Sequence, residues 1–168
     1  GIAEGYFSRE ECSRIVQLGE NYEAQEGKVG SDETSSKNRK SSVRFVRPDD
    51  DSNWIFNKLE SALTLMNKQY RFELQGFFEG VQIAAYSGGG FYDYHMDLGP
   101  GKHSGRKLSI SVQLSDPTDY EGGDLEFLNI EQTVPRSIGS LIVFPSYLVH
   151  RVTPVTSGTR RSMVSWIS

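Results

Sequence analysis

The sequence predicts a mainly β fold: a jelly-roll, or double-stranded β-helix, with two flanking N-terminal α-helices. From Phe77 onward, short runs rich in β-branched and aromatic residues alternate with glycine-containing turns, at the spacing of a sandwich or small barrel. Before that point, two segments carry apolar residues at intervals of three and four. A length of 168 residues fits one domain. We expect helical support over 1–76 and a jelly-roll core over 77–168.

The two helices have separate signals. "SREECSRIVQLGE" places Ser8 and Glu11 at the spacing of a capping box and then continues with an apolar period. "NWIFNKLESALTLMNKQY" follows an acidic start and carries a longer amphipathic pattern, formed by Ile55, Leu59, Ala62, Leu63 and Met66. Both segments are therefore predicted to be amphipathic helices that pack one face on the core.

A polar segment at 25–42 separates the helices. It is rich in glycine and serine, has no hydrophobic period and precedes a predicted strand, "SVRFV". It is either a plain surface connection or a lid over a site, and the sequence leaves both interpretations open.

The second half predicts a series of strands. They are "VQIAAYS", "FYDYHM", "KLSISVQLS", "DLEFLN", "QTVP", "SLIVFP", "LVHRVTPV" and "RRSMVSWIS". The turn signals between them are "SGGG", "DPTDYEGGD", "RSIG" and "TSGTR", in which glycines permit a positive φ. This arrangement is typical of an all-β core.

Composition argues against several classes of protein. The net charge of −4 provides no broad basic face, which makes nucleic acid a poor default partner. No segment approaches the run of about 18 apolar residues that spans a bilayer, and no signal peptide is recognisable. Cys12 is the only cysteine, which favours a reducing compartment. We expect a cytoplasmic protein without a membrane anchor; nothing in the sequence indicates its oligomeric state.

A candidate metal site begins with His95 and Asp97. Residues two apart on a strand face the same side, so an imidazole and a carboxylate project together. Alone, this pair is more often a surface histidine beside an acidic residue. His150 lies on a later strand that a jelly-roll could bring alongside, and two imidazoles with one carboxylate form the facial triad of non-haem Fe(II) oxygenases. His103 competes as a ligand, but its glycine-rich loop favours a solvated residue.

An anion-binding residue follows on the last predicted strand. Arg160 lies ten residues after His150, where its guanidinium could bind a carboxylate, and Ser162 offers a hydroxyl beside it. Arg161 points to the opposite face and is interpreted as a surface charge. Taken together, the three metal-binding candidates and Arg160 predict an oxygenase site.

The same segments resemble a known family. "YSGGGFYDYHMD", "LSDPTDYEGGDLEF" and "FPSYLVHRVTPVTSGTRRSMVSWI" look like the prolyl 4-hydroxylase branch of the Fe(II)/2-oxoglutarate dioxygenases, especially its PKHD-type hydroxylases. The resemblance covers Val81 to Ser168. It implies that His95, Asp97 and His150 bind iron, and that Arg160 binds the C5 carboxylate of 2-oxoglutarate.

The resemblance also implies roles for five further residues. Tyr86 would donate to the cosubstrate, although a packed strand aromatic is the alternative. Gln113 stands where many prolyl hydroxylases have a second cosubstrate-binding tyrosine; its amide could still donate to a carboxylate. Tyr92 and Arg106 match substrate-contacting positions, although a rim Tyr or Arg is common. Trp166 matches an aromatic beside the site, and a core tryptophan is an equally good interpretation.

The implied activity is hydroxylation of prolyl residues in a peptide or protein, with release of succinate and CO₂. The implied requirements are Fe(II), 2-oxoglutarate as cosubstrate and O₂, with ascorbate as a further candidate. Two alternatives stay open at this point. One is a hydroxylase of a free amino acid or another small molecule, and the other is a non-catalytic metal-binding jelly-roll module.

Overall fold

A computed structural model describes residues 1–27 and 37–168. Two α-helices, α1 (Arg9–Glu20) and α2 (Asn53–Tyr70), and a short 3₁₀ helix at Gly101–His103 accompany the strands. The strands are β1 (Ile2–Ala3), β2 (Gln25–Glu26), β3 (Arg39–Lys40), β4 (Ser42–Val46), β5 (Val81–Ser87), β6 (Phe91–His95), β7 (Leu108–Gln113), β8 (Tyr120–Gly122), β9 (Leu125–Phe127), β10 (Leu141–Pro145), β11 (His150–Val152) and β12 (Val155–Ile167).

The strands form two sheets, which confirms the predicted jelly-roll. The larger sheet has the order β1-β10-β7-β12-β5-β4-β2, and β8 pairs with β12 beside it. The smaller sheet has the order β3-β6-β11-β9. Inward-facing residues of both sheets meet in one apolar cluster, formed by Val43, Ala84, Tyr86, Tyr120, Val152 and Val155. The first 76 residues therefore supply four strands as well as the two helices.

The two helices cover the outer face of the larger sheet. Their apolar stripes, as predicted, pack on alternate residues of β5, β7, β10 and β12. The capping box of α1 is present, since the Glu11 amide donates to the Ser8 hydroxyl and the Ser8 amide donates to the Glu11 carboxylate. Cys12 is fully buried in this core, and burial raises the pKa of its thiol to about 11. It is a packed core residue.

Three predictions of local structure are wrong. The predicted turn "DPTDYEGGD" contains the strand β8, which pairs with β12. "TSGTR" is not a turn, because β8 pairs with Val155–Gly158 and the strand continues through Gly158, which adopts a φ of 71°. "QTVP" is not a strand. Its apolar signal comes from Val134, which packs in an irregular segment against Leu125, Ile142 and Phe144. A buried apolar side chain in a loop gives the same sequence signal as one in a strand, because burial alone does not specify backbone pairing.

The lid interpretation of 25–42 concerns mostly residues 28–36, which lie outside the described residues. The described ends of the 25–42 segment include β2, which belongs to the larger sheet, and β3, which belongs to the smaller sheet. Across 1–27 and 37–168, no helix combines the length and the apolar character needed to cross a membrane.

Gly139→Ala is expected to lower the free energy of unfolding by about 3 kcal/mol or more, measured by urea denaturation. Gly139 has a φ of 79°, and a Cβ there would lie 1.8 Å from the backbone oxygen of Phe7. Gly5→Ala is the matched control, because Gly5 has a φ of 62° with nothing within 4 Å of the added atom. The control is expected to lose only about 1 kcal/mol, the strain of the left-handed region. Equal losses would show that the contact with Phe7 is unimportant.

Candidate metal centre and anion pocket

A cavity of about 480 Å³ lies between the two sheets. Side chains of β4, β5, β7 and β12 line one wall, and those of β6 and β11 line the other. Nine of the ten residues singled out from the sequence line it, namely Tyr86, Tyr92, His95, Asp97, Arg106, His150, Arg160, Ser162 and Trp166. The tenth, Gln113, bonds to Arg160. The residues singled out from the sequence therefore come together at one cavity.

His95, Asp97 and His150 come together at one end of the cavity. His95 ends β6 and is the register partner of His150 on the adjacent strand β11, while Asp97 follows two residues after His95. One Asp97 oxygen lies 3.6 Å from His95 Nε2, and the other lies 3.6 Å from His150 Nε2. Within the described chain, these three form the one group with ligand atoms close enough for a shared ion, all within 4.8 Å of one another.

Backbone contacts fix both imidazoles in the form that binds a metal. Nδ1 of His95 lies 2.7 Å from the Asp93 carbonyl oxygen, and Nδ1 of His150 lies 2.8 Å from that of Leu148. A carbonyl only accepts, so each Nδ1 carries the proton and each Nε2 presents its lone pair. Burial lowers the pKa of His150, which favours this neutral form, although Asp97 opposes the shift.

Asp97 is buried but remains ionised. Burial opposes its charge, yet contacts with His95 and His150 and a hydrogen bond from Ser109 outweigh that effect and lower its pKa. The Ser109 hydroxyl donates to Oδ2 at 2.6 Å and also lies 2.9 Å from the Ser146 hydroxyl. The Asp97 amide donates to the Ser146 carbonyl. The carboxylate is thus oriented toward the two histidines by a second set of contacts.

Ser109→Ala is expected to weaken metal binding about tenfold without unfolding the protein, because it frees the Asp97 carboxylate to rotate. Fluorescence competition with a Zn(II) chelator measures the change. Ser165→Ala is the matched control, since Ser165 is equally buried on β12 but donates to the Gly80 carbonyl. If both variants lose the same affinity, the effect comes from general destabilisation and not from Asp97.

The donor set fits Fe(II). Two neutral imidazole nitrogens and one carboxylate on one side of an ion leave coordination positions open toward the cavity, as in non-haem Fe(II) oxygenases. His103, the competing ligand in the sequence, lies at the cavity mouth on the 3₁₀ helix and is not part of the group. His103 is half-buried on this helix, so the expectation of a solvated loop residue is revised.

Arg160 provides a buried cationic site in the same cavity. Only 1% of the residue is exposed, and neither Nε nor Nη1 has a hydrogen-bond partner among the described residues. Nη2 donates to Gln113 Oε1 at 2.9 Å, and Gln113 Nε2 donates to the Pro135 carbonyl. Burial lowers the pKa of Arg160, while the nearby phenols of Tyr86 and Tyr120 oppose the shift. A buried guanidinium with two unused donors is arranged for an anion.

Tyr86 and Ser162 adjoin this guanidinium. Tyr86 is the register partner of Arg160 on β5, and its ring centre lies 5.6 Å from the guanidinium carbon. Ser162 follows on the same face of β12. Gln113 engages both ends of its amide within the protein, so it supports Arg160 and is not directed at the cavity. The sequence-based expectation of a direct Gln113 contact is therefore revised.

Tyr92 packs directly on a candidate metal ligand. Its ring stacks on His95 at a centroid distance of 3.4 Å, and the Arg39 guanidinium lies 4.4 Å from its other face. Burial raises the pKa of Tyr92 to about 12, so the phenol stays protonated. The contact of Arg39 was not predicted, because Arg39 belongs to the segment at 25–42, which was interpreted as a surface connection or a lid without assigned contacts.

Arg106 and Trp166 form another part of the cavity wall. The Arg106 guanidinium carbon lies 3.8 Å from the centre of the Trp166 ring. Glu79 accepts from Arg106 Nε at 2.6 Å and from Nη2 at 2.5 Å, and Nη1 donates to the Asp97 carbonyl at 3.1 Å. Arg106 therefore connects the wall to the metal-binding segment. Glu79 was missed because its partner lies 27 residues away.

Sequence reasoning also missed the polar residues that face inward from strands buried on both sides. "LSISVQ" in β7 and "VQIAAYS" in β5 place Ser109, Ser111 and Gln82 on the cavity face. The available signal was a polar residue at every second position of an otherwise apolar strand. Such a residue needs a partner in the interior.

Comparisons with known proteins agree with this geometry. The family model described as "2OG-Fe(II) oxygenase superfamily" matches residues 81–168. A PKHD-type hydroxylase of Prochlorococcus marinus is 35% identical over 120 residues, covering 70% of this chain and 52% of the relative. Because the family model covers more than half of the chain, the chain belongs to the 2OG-Fe(II) oxygenase superfamily.

Solved structures show the same fold at low sequence identity. A prolyl-4-hydroxylase from Pseudomonas putida has a TM-score of 0.77 and 18% identity, with 99% of this chain and 90% of that chain covered. A prolyl hydroxylase from Trichoplax adhaerens, in complex with a peptide fragment of hypoxia inducible factor, has a TM-score of 0.81 and 16% identity, with 99% and 82% covered. The chain spans about half or less of the length of the curated relatives it matches.

Proposed function

We propose that this chain is an Fe(II)- and 2-oxoglutarate-dependent dioxygenase that hydroxylates prolyl residues in a peptide or protein. The observation that carries the proposal is the pairing, in one cavity, of the His95–Asp97–His150 group with the buried and partly unpartnered Arg160 guanidinium. Residues 1–168 would act as one domain, since both helices share a core with the larger sheet. A metal site alone would also suit a binding module, whereas the adjacent anion site is what a chelating dicarboxylate requires.

Each group has a definite task. His95, Asp97 and His150 would hold Fe(II), with the imidazoles fixed by the Asp93 and Leu148 carbonyls. Bound Fe(II), 2-oxoglutarate and O₂ would supply the oxidising chemistry, with succinate and CO₂ as coproducts. The protein orients the reactants and excludes water from them.

The anion pocket would select the cosubstrate by charge and length. Arg160 would bind its far carboxylate through the donors Nε and Nη1, with Tyr86 and Ser162 beside it and Gln113 holding the guanidinium in place. A buried cation binds a carboxylate strongly because water competes poorly there. The pocket is therefore suited to a dicarboxylate whose other end can reach the metal.

The prime substrate would enter past Tyr92, Arg106 and Trp166. These side chains form a wall of two aromatic rings and a guanidinium paired with Glu79 beside the metal ligands, and Tyr92 stacks on His95. Support for a prolyl peptide comes from the relatives: two similar structures are prolyl hydroxylases, and one of them holds a peptide fragment. Hydroxylation of a free amino acid is the alternative within the same chemistry.

The test incubates the protein with Fe(II), 2-oxoglutarate, ascorbate and a library of proline-containing peptides. Succinate formation and a mass gain of one oxygen atom on a peptide are measured together, with free proline as the comparison. We expect oxygen to be added to peptide proline. Oxygen added to free proline alone would replace the peptide substrate with an amino acid, and no succinate from any mixture would favour a non-catalytic module.

A further inference from the structure

Three polar side chains surround Val164 on the cavity wall, on neighbouring strands. Val164 is the register partner of Gln82 on β5 and of Ser111 on β7, and Trp166 is the next residue of β12 on the same face. Gln82, Ser111 and Trp166 are 6%, 5% and 7% exposed, and all three line the cavity. Gln82 and Ser111 flank Val164, and the three polar side chains form a patch that is distinct from Arg160.

This patch has unused hydrogen-bonding capacity. Trp166 Nε1 is buried and has no hydrogen-bond partner in the part of the chain that the structure describes. Within the described chain, neither the Gln82 amide nor the Ser111 hydroxyl makes a hydrogen bond with another residue. Buried polar groups are normally paired, and those that are not point to a bound ligand or water. The patch offers an indole N–H, an amide and a hydroxyl, so it can both donate and accept.

The adjacent cation is neutralised. Glu79 binds Arg106 through two parallel contacts of 2.6 and 2.5 Å, and the Arg106 guanidinium covers the Trp166 ring. The pair has no net charge and holds the indole in one orientation. A carboxylate placed on the patch would lose its water without gaining a free counter-charge, whereas a neutral amide would only exchange hydrogen bonds.

We propose that Gln82, Ser111 and Trp166 form a subsite that binds a neutral amide group of the prime substrate, with Gln82 as the specificity-determining residue. This inference rests on the proposed function, because the subsite adjoins its metal centre. Gln82 presents one donor and one acceptor to an amide, which itself has one of each. The subsite therefore selects a proline within a chain over the free amino acid, whose carboxylate only accepts.

The test observes Trp166 directly by NMR. The ¹⁵N-labelled protein is loaded with Zn(II), a diamagnetic substitute for Fe(II), and with 2-oxoglutarate, so that no turnover occurs. Trp54 and Trp166 are the two tryptophans, and Trp54→Phe assigns the remaining indole N–H signal to Trp166. The probes are N-acetyl-L-proline methylamide and N-acetyl-L-proline, which differ in presenting an amide or a carboxylate. The methylamide is expected to shift the Trp166 indole signal and to bind at least about tenfold more tightly than the carboxylate.

Substitution of Gln82 measures its contribution to binding of the methylamide. Gln82→Leu keeps a similar volume and is expected to weaken binding of the methylamide about fivefold, while 2-oxoglutarate binding is unchanged. Gln25→Leu, an exposed glutamine at the rim of the cavity, is the matched control and is expected to have no effect. Glu79→Gln leaves the charge of Arg106 unpaired, so that Arg106 can attract a carboxylate. This variant is therefore expected to reduce the difference in affinity between the methylamide and N-acetyl-L-proline.

The outcomes separate the two proposals. If 2-oxoglutarate perturbs the spectrum but the methylamide leaves the Trp166 signal unmoved, the subsite is wrong and the cosubstrate site survives. Equal affinity for both probes, or unchanged affinity in Gln82→Leu, likewise overturns the subsite. If 2-oxoglutarate itself causes no change in the NMR spectrum of the Zn(II)-loaded protein, the proposed function is wrong, whatever the result with the methylamide.

Discussion

Asp97→Ala is expected to abolish 2-oxoglutarate turnover and to weaken Fe(II) binding by more than about 100-fold, beyond the 10- to 100-fold typical of a residue that only supports a ligand. The reason is that Asp97 supplies the one anionic donor of the group and lies 3.6 Å from both imidazoles. His95→Ala and His150→Ala are expected to abolish turnover as well. Equilibrium dialysis of Fe(II) under anaerobic conditions measures the binding.

The three variants should remain folded, because His95, Asp97 and His150 belong to none of the apolar core clusters. Circular dichroism and urea denaturation provide that check. Ser109→Ala provides the graded comparison, since it retains the carboxylate and removes only its support. Fe(II) affinity that falls no further in Asp97→Ala than in Ser109→Ala would remove Asp97 from the ligand set.

Arg160→Met is expected to weaken 2-oxoglutarate binding by about 2 to 5 kcal/mol, or about 30- to several-thousand-fold in the dissociation constant. The variant removes the buried donors Nε and Nη1, which have no hydrogen-bond partner among residues 1–27 and 37–168. Isothermal titration calorimetry of the Zn(II)-loaded protein measures the loss. Arg160→Lys retains the charge but not the planar set of donors. Its affinity for 2-oxoglutarate should therefore lie between those of the parent protein and of Arg160→Met.

Arg160→Met is also expected to change the thermal stability of the protein. A buried cation without a carboxylate partner destabilises the free protein, so Arg160→Met should unfold at an equal or higher temperature in the absence of 2-oxoglutarate. It should also lose the stabilisation that the cosubstrate gives to the parent protein. Arg161→Met is the control, because Arg161 is exposed on the opposite face of β12. If Arg161→Met instead abolishes the stabilisation, the anion site has been misassigned.

Sequence periodicity predicted the elements that depend on local pattern. The capping box of α1, the stripe of α2 and the bounds of β5 followed from residues within a few positions of one another. His95 and Asp97 were placed on one face by the alternation of a strand. His150 required the additional assumption of a jelly-roll, and its register pairing with His95 follows from that topology.

The errors and omissions have physical causes. "TSGTR" suggested a turn, but pairing with β8, more than 30 residues earlier, keeps the strand continuous. Glu79 carries no local signal, and the only local sign of Gln82 is a polar residue in an apolar strand, because the importance of both depends on residues of other segments. Gln113 was expected to face the cosubstrate, and the contacts of its amide with Arg160 and Pro135 show a supporting position. Contacts between distant residues were the part that a single sequence did not reveal.

The most direct test of the central claim is an anaerobic titration of metal-free protein with Fe(II) and then 2-oxoglutarate, followed by visible absorption. If His95, Asp97 and His150 hold the metal and Arg160 holds the far carboxylate, a weak charge-transfer band appears on addition of 2-oxoglutarate. The band should be absent in Asp97→Ala and should require far more 2-oxoglutarate in Arg160→Met. A well-folded parent protein that binds Fe(II) but gives no band with saturating 2-oxoglutarate would contradict the assignment of this cavity to a 2-oxoglutarate-dependent dioxygenase.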